Sequence, residues 1–286
     1  MTIREIKIPV GATSPFKMLH TTDNHICLAD ERDDERKREL AAKRMAAFDA
    51  ASEKGAVACC EEVLEYARAH SLPVLHTGDI MDFVSQANLD YVRKAFAGLD
   101  VFCAAGNHEY SLYVGEAFED EAYKAQSFEM VKAAFPGNIW FQTRLINGVR
   151  FVAIDNNYYY IVEEQMRLFK EVAEQGEPIV LVVHNPLYSE DLYRQVMEGK
   201  AKDAPPYLFG CPEELLRSLP EKRYIQQKPN ALTLEFLDYC NHLPNLKAVV
   251  AGHLHAFYAS RLDSGVPQYV CNGSYRDMET LIYEFV

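Results

Sequence analysis

Apolar residues in this 286-residue chain fall into short continuous runs separated by longer stretches of helical period. Phe16–Thr22, Pro73–His76, Val101–Ala105, Ile179–Val183 and Leu246–Ala251 have the unbroken pattern of strands buried on both faces. Between the first two runs, Leu40, Met45, Phe48, Val57, Val63, Leu64 and Ala67 predict one or two helices, with a break near Gly55. The mixed-charge run from Asp30 to Glu39 that precedes them reads as a solvated helix face. Further helices are expected over 86–97, 162–174 and 231–240. Residues 110–135 are rich in Tyr, Phe and acid and become helical towards Val131.

Ile139–Ile146 and Val149–Ile154 predict a hairpin, because Asn147-Gly148 supplies the two left-handed residues of a type I′ turn. Residues 1–15 read as a leading strand and a turn. Three closing strands, Phe257–Leu262, Gln268–Cys271 and Thr280–Phe285, are expected to pair antiparallel. From Tyr188 to Pro229 the periodicity fades among prolines and glycine. A stretch of that length inside a compact domain is usually functional, and 188–229 is read as a cap beside the active site, with a surface excursion as the alternative. Strands alternating with helices give an α/β protein, one domain spanning 1–286.

The chemistry lies in the residues at the ends of the apolar runs. The five runs end on Asp23-Asn24-His25, on Gly78-Asp79-Ile80-Met81-Asp82, on Gly106-Asn107-His108-Glu109, on His184 and on Gly252-His253-Leu254-His255. Open α/β sheets keep their ligands at the carboxyl ends of strands. Any single one of these residues has an ordinary explanation: a structural histidine at 184, a turn cap at Asn107, a helix cap at Asp82, a loop acid at Glu109. Five strand ends delivering Asp, Asn and His together point instead to one metal site. Two cations held about 3.5–4 Å apart need a carboxylate between them and neutral N and O donors around them. Such donors, with no thiolate at a strand end, suit zinc, manganese, iron or cobalt rather than a soft metal or a calcium cage. His20 and His76 lie inside strand runs, where core positions are expected; His70 and His242 are expected at the surface. Tyr110, Tyr113, Tyr158, Tyr159, Tyr160 and Tyr188 come after motif segments and could line a pocket or simply pack beneath the cap.

Composition narrows the partners. Hydrophobic residues are 49% and charged residues 25%, as in ordinary globular proteins, and the formal charge is −13. That charge argues against long nucleic acid, which needs basic surface. It leaves a small phosphate ester open, since bound metal ions set the local charge. No apolar run is long enough to span a bilayer, so no membrane partner is expected, and the N-terminus lacks a signal-peptide core. Seven cysteines without paired finger spacing read as reduced thiols, which places the protein in the cytoplasm.

The five blocks, in this order, resemble those of calcineurin-like metallophosphoesterases. The resemblance covers the motifs from residue 23 to residue 255 and leaves the segments between unassigned. It implies an αββα sandwich, two mixed sheets flanked by helices, with the site at the carboxyl ends of the strands. It implies two divalent or trivalent ions (Mn, Fe or Zn). Asp23, His25 and His255 would hold the first, Asp79 would bridge, and Asn107, His184 and His253 would complete the second. A metal-bridging hydroxide would attack phosphorus, His108 would act as general acid, and Asp82 would orient His108. The resemblance does not extend to the protein Ser/Thr phosphatase branch, which carries Arg-Gly and Arg where this chain has Phe83-Val84 and Tyr110. A small phosphomonoester or phosphodiester is the expected substrate. Two alternatives stand beside this reading: a metal-binding scaffold of the same fold without activity, and a barrel-type amidohydrolase, whose His-x-His lies on the first strand rather than in the last motif.

Overall fold

The computed structural model describes residues 1–115, 119–276 and 279–286. Strands Thr2–Ile8 (β1) and Phe16–Thr21 (β2) lead into helices Glu35–Asp49 (α1) and Ala56–Ala69 (α2). Strand Val74–His76 (β3), helix Gln86–Phe96 (α3) and strand Val101–Cys103 (β4) come next, then short helices Glu121–Ala125 (α4) and Phe128–Lys132 (α5). The hairpin Phe141–Ile146 (β5) and Val149–Ile154 (β6) precedes helix Glu163–Ala173 (α6) and strand Ile179–Val182 (β7). Helices Glu190–Met197 (α7), Glu213–Leu216 (α8), Glu221–Gln227 (α9) and Ala231–His242 (α10) lie beyond it. Strands Leu246–Ala251 (β8), Tyr258–Arg261 (β9), Pro267–Val270 (β10) and Glu279–Phe285 (β11) close the chain.

Local chemistry fixes several boundaries. The Asp34 side chain accepts from the Lys37 N–H at 2.7 Å and starts α1, and Ser85 accepts from Asn88 N–H at 2.9 Å and starts α3. Gly55, at φ 83°, separates α2 from α1 at the expected break. In the hairpin, Asn147 and Gly148 have φ of 46° and 79°, the left-handed pair that a type I′ turn requires.

The strands form two sheets, in the orders β1-β11-β2-β3-β4 and β5-β6-β7-β8-β10-β9. Within the first, β2, β3 and β4 run parallel; within the second, β6, β7, β8 and β10 do. Both faces of these central strands are buried, so alternate residues feed different cores. Leu75, Phe102, Phe151, Val180, Val182 and Val250 fill the layer between the sheets. Their neighbours Val74, Val101 and Cys103 pack outward with α2 and α3, while Val152, Leu181 and Val249 pack outward with α6 and α10. The result is the expected αββα sandwich of two mixed sheets, and it excludes the barrel alternative.

One pairing differs from expectation. β9 and β10 are antiparallel, but β10 runs parallel to β8, and β11 crosses to the other sheet, antiparallel to β2 and parallel to β1. Leu281, Tyr283 and Phe285 of β11 all face the inter-sheet layer, which is why this last strand belongs between β1 and β2 rather than beside β10.

A candidate dinuclear metal centre

Parallel strands end at one edge, and the loops after β2, β3, β4, β6, β7 and β8 therefore meet. The loops after β2 and β3 continue the ladder: Asp23 N–H donates to Gly78 O at 2.9 Å and His25 N–H to Asp79 O at 3.0 Å. At this edge His184 Nδ1–H donates to Thr77 O at 2.7 Å and His253 N–H to Asp23 Oδ2 at 2.9 Å, and both bonds cross between the sheets. The site is thus a seam between the two sheets. Packing there is close enough to demand glycine. A Cβ on Gly78 would lie 2.2 Å from Gly106 N, and one on Gly106 would lie 2.1 Å from Asp79 Oδ1.

Asp23, His25, Asp79, His253 and His255 all have φ between 49° and 72°, in the left-handed region that residues with a Cβ seldom occupy. Such outliers concentrate where surrounding bonds over-determine the backbone, typically at functional sites.

The predicted residues come together in two groups. Asp23, His25 and His255 converge, with His255 Nε2 3.2 Å and His25 Nε2 3.8 Å from Asp23 Oδ1. Asp79, His184 and His253 converge beside them: His184 Nε2 lies 3.1 Å from Asp79 Oδ2, 3.1 Å from His253 Nδ1 and 3.2 Å from Asn107 Oδ1. Asp79 also reaches the first group, its Oδ2 4.0 Å from His25 Nε2. His108 and Asp82 form the adjoining cluster with His25.

This donor set fits a cation in each group. His184 gives its Nδ1–H to a carbonyl, which can only accept, so in the neutral ring its Nε2 presents a lone pair beside a carboxylate oxygen and an amide oxygen. His25 gives its Nδ1–H to Asp82 Oδ1 at 3.1 Å and turns a bare Nε2 onto His255 Nε2 at 2.9 Å. Asp23 Oδ1 is buried and has no hydrogen-bond donor among the described residues. Nitrogen and oxygen acceptors that converge in this way are what a metal ion would satisfy.

Asp82 has more partners than the sequence suggests. It lies 3.1 Å from His108 Nδ1, which also meets the Asp82 backbone carbonyl at 2.8 Å, and it holds His25 as well. Arg44 of α1 then grips both of its oxygens. Burial alone would raise the Asp82 carboxyl, but His108, Arg44 and His25 hold it well below the usual carboxylate range. Burial likewise works against charge on His108, yet the Asp79 and Asp82 carboxylates push its pKa up to about 10.

Residues to which the sequence pattern assigns no role complete the setting. Glu109, a loop acid by sequence, is fully buried and accepts from Gly106 N–H at 2.5 Å, Asp79 N–H at 2.7 Å and Met81 N–H at 3.3 Å. Phe48 stacks on His25 with ring centres 4.6 Å apart, and Tyr275 OH lies 3.2 Å from His255 Nδ1. Tyr159 OH lies 2.8 Å from His253 Nε2, and Tyr158 and Tyr159 line the cavity above the site, so two of the six candidate tyrosines reach it. Tyr110 instead bonds Asp155 inside the core. His20 and His76 are buried in strands as expected, and His70 and His242 are exposed.

A sequence model of calcineurin-like phosphoesterases matches residues 16–257. No curated protein sequence matches the chain. Among solved structures, a dimetal phosphatase from Danio rerio superposes with a TM-score of 0.50 at 14% identity, covering 93% of this chain and 88% of that one. A 5′-nucleotidase from Candida albicans gives 0.47 at 14% identity, covering 96% of this chain and 48% of the other. A phosphopantetheinyl hydrolase from Mycobacterium tuberculosis gives 0.42 at 14% identity, covering 90% and 89%. Likeness at such identity speaks to fold alone, whereas the sequence match spans most of the motifs and sheets described above: the chain belongs to the calcineurin-like phosphoesterase family.

Proposed function

We propose that this protein hydrolyses a small phosphate ester, monoester or diester, at a dinuclear metal centre. Family members are phosphoester hydrolases that depend on two metal ions, and the observation that carries the reading here is the pair of adjoining donor groups with Asp79 between them. Asp23, His25 and His255 would hold one ion and Asn107, His184 and His253 the other, with Asp79 shared between them. The N and O donors suit manganese, iron or zinc. When bound, the ions neutralise phosphate charge and lower the pKa of coordinated water, so that a nucleophile is available near neutral pH.

The chain's own residues do the rest. Asp82 holds His108 through Nδ1, which leaves Nε2 as the proton-bearing atom for the site. The Asp82 carboxylate beside Nδ1 favours the protonated ring, so His108 stabilises charge on the phosphoryl oxygens and gives its proton to the departing alkoxide. The segment 188–229 lends Lys200, Tyr207, Lys222, Arg223 and Gln226 to the cavity lining, which supports its role as a cap on a single domain spanning 1–286. No described helix is long and apolar enough to cross a membrane, and the seven cysteines are buried and form no disulfide; we read the protein as cytoplasmic and acting on a small molecule.

Leaving-group dependence tests this assignment. Replacing His108 by Ala should slow hydrolysis of alkyl phosphates by about 10²–10⁴-fold, the usual range for a general acid. It should cost much less with 4-nitrophenyl phosphate, whose leaving group needs little protonation. Equal losses on both esters, with metal content preserved, would remove His108 from that role. A variant as active as wild type on alkyl esters would do the same.

A further inference from the structure

The cavity above the two donor groups has a volume of about 390 Å³ and lining of two kinds. Asp79, Asn107, His108, His253 and His255 belong to the strand-end loops. Lys200, Lys222 and Arg223 come from 188–229, in a chain whose net charge is −13. None of these three cations pairs with Asp23, Asp79 or Asp82 among the described residues, and Lys200 and Lys222 make no ion pair with any described residue.

Arg223 is held in place without being neutralised. Its Nη1 donates to Gln226 Oε1 at 2.7 Å, and its guanidinium lies 5.8 Å from the centre of the Tyr207 ring. Gln226 turns its Nε2–H₂ to Glu119, the one described acid of the lining outside the strand-end loops. The amide of Gln226 therefore occupies the carboxylate that would otherwise compete for Arg223. An arrangement that keeps cations from pairing within a cavity raises the local concentration of anions there. The phosphoryl group under attack has the metal ions and His108 to meet its charge, so three further cations exceed what an ester with a neutral leaving group requires.

We infer that Lys200, Lys222 and Arg223 form a second anion subsite, and that the preferred substrate is a phosphate ester whose leaving group carries a second negative group. This rests on the phosphoesterase reading above. Tyr158, Tyr159 and Tyr207 add flat apolar faces to the same cavity, suited to the body of an organic leaving group between its two charges.

The test compares adenosine 3′,5′-bisphosphate with adenosine 5′-phosphate on the manganese-loaded protein and on its K200Q/K222Q/R223Q variant, with thermal melting to confirm folding. Wild type should favour the bisphosphate in kcat/KM by about tenfold, the combined worth of three partly exposed ion pairs. The preference should reside mainly in KM, shrink with added salt, and collapse towards one in the triple variant. Lys222→Gln alone, on a short surface helix, should reduce it partly and serves if the triple variant does not fold. A ratio near one in wild type, or a preference that survives the triple substitution, overturns the subsite. Should neither compound be hydrolysed while a diester such as bis(4-nitrophenyl) phosphate is, the monoester form of the reading fails; should no ester of either kind be hydrolysed, the phosphoesterase reading itself fails. Calorimetric titration with the two compounds still decides the subsite: tighter bisphosphate binding lost in the variant upholds it, and equal binding removes it.

Discussion

Arg44 meets Asp82 in a two-pronged contact, Nε 2.6 Å from Oδ2 and Nη2 2.8 Å from Oδ1, and through that carboxylate it touches both His25 and His108. One buried acid thus serves a proposed metal ligand and the proposed acid at once. Four residues further along α1, Phe48 stacks on His25, so one helix face braces the same ring from two sides. Replacing Arg44 by Ala should reduce kcat by about 10–100-fold, the usual penalty for losing a partner behind a ligand, with KM nearly unchanged. Lysine, lacking the planar fork, should restore only part of it. Steady-state kinetics of Arg44→Ala and Arg44→Lys on one ester checks this; full activity in the Ala variant would refute it.

Asp82 itself should behave differently from a pure orienter of His108. Because it also fixes the tautomer of His25, Asp82→Asn should lower kcat and weaken metal retention together, by about 10–100-fold in affinity. Metal content after dialysis against a graded chelator is the measurement. Loss of rate with retention identical to wild type would show that His25 does not depend on Asp82.

Glu109 gathers the backbone of two loops by accepting three N–H bonds, and burial together with the Asp79 charge pushes its pKa up to about 8. Glutamine there would aim an NH₂ at a backbone donor. Glu109→Gln should therefore destabilise the fold by about 1–3 kcal/mol, the cost of an unsatisfied buried polar group, and lower activity with it. Denaturant unfolding reads the first effect, and an unchanged midpoint would contradict it.

Two strand histidines give the apo protein an acid-side weakness. Burial lowers His20 to about 3 and His76 to about 4. His76 Nδ1 accepts the Gly78 N–H at 3.0 Å, so its neutral form is the one that supports the loop carrying Asp79. Both folded values lie below the ordinary histidine value near 6.5. As pH falls through 6.5 the unfolded chain takes up these protons first, so stability present above 6.5 is lost as pH drops towards about 4, at up to roughly 1.4 kcal/mol per pH unit for each ring. Urea unfolding of metal-free protein at pH 5 and pH 7.5 should show this slope, reduced in His76→Gln. A flat response would contradict it.

The clustered Asp, Asn and His positions were legible because parallel strands buried on both faces leave uninterrupted apolar runs, and each run stops where its loop turns to the seam. The run Ile179–Val183 put His184 at a strand end, and the other four blocks made it a candidate ligand. Glu109 was not legible, since an acid in a loop gives no sign of three backbone donors converging on it. Arg44 and Phe48 lay hidden for another reason: along the sequence they read as one charged and one core position of an ordinary helix, and only tertiary packing sets that helix against His25. The fate of β11 was equally out of reach, because its alternating pattern suits either sheet and only the inter-sheet layer selects one. Tyr275 and Tyr159 reach the site through the loops after β10 and β6, and the strand-end acid of the latter, Asp155, bonds Tyr110 and Lys124 instead of joining the cluster.

The two-metal account stands or falls on activity against metal stoichiometry. Protein stripped by chelator should be inactive across a panel of phosphate mono- and diesters, and should regain hydrolysis as manganese is added, reaching a plateau at two bound ions per chain. Activity that persists undiminished in excess chelator, or a plateau at a single bound ion, would contradict it.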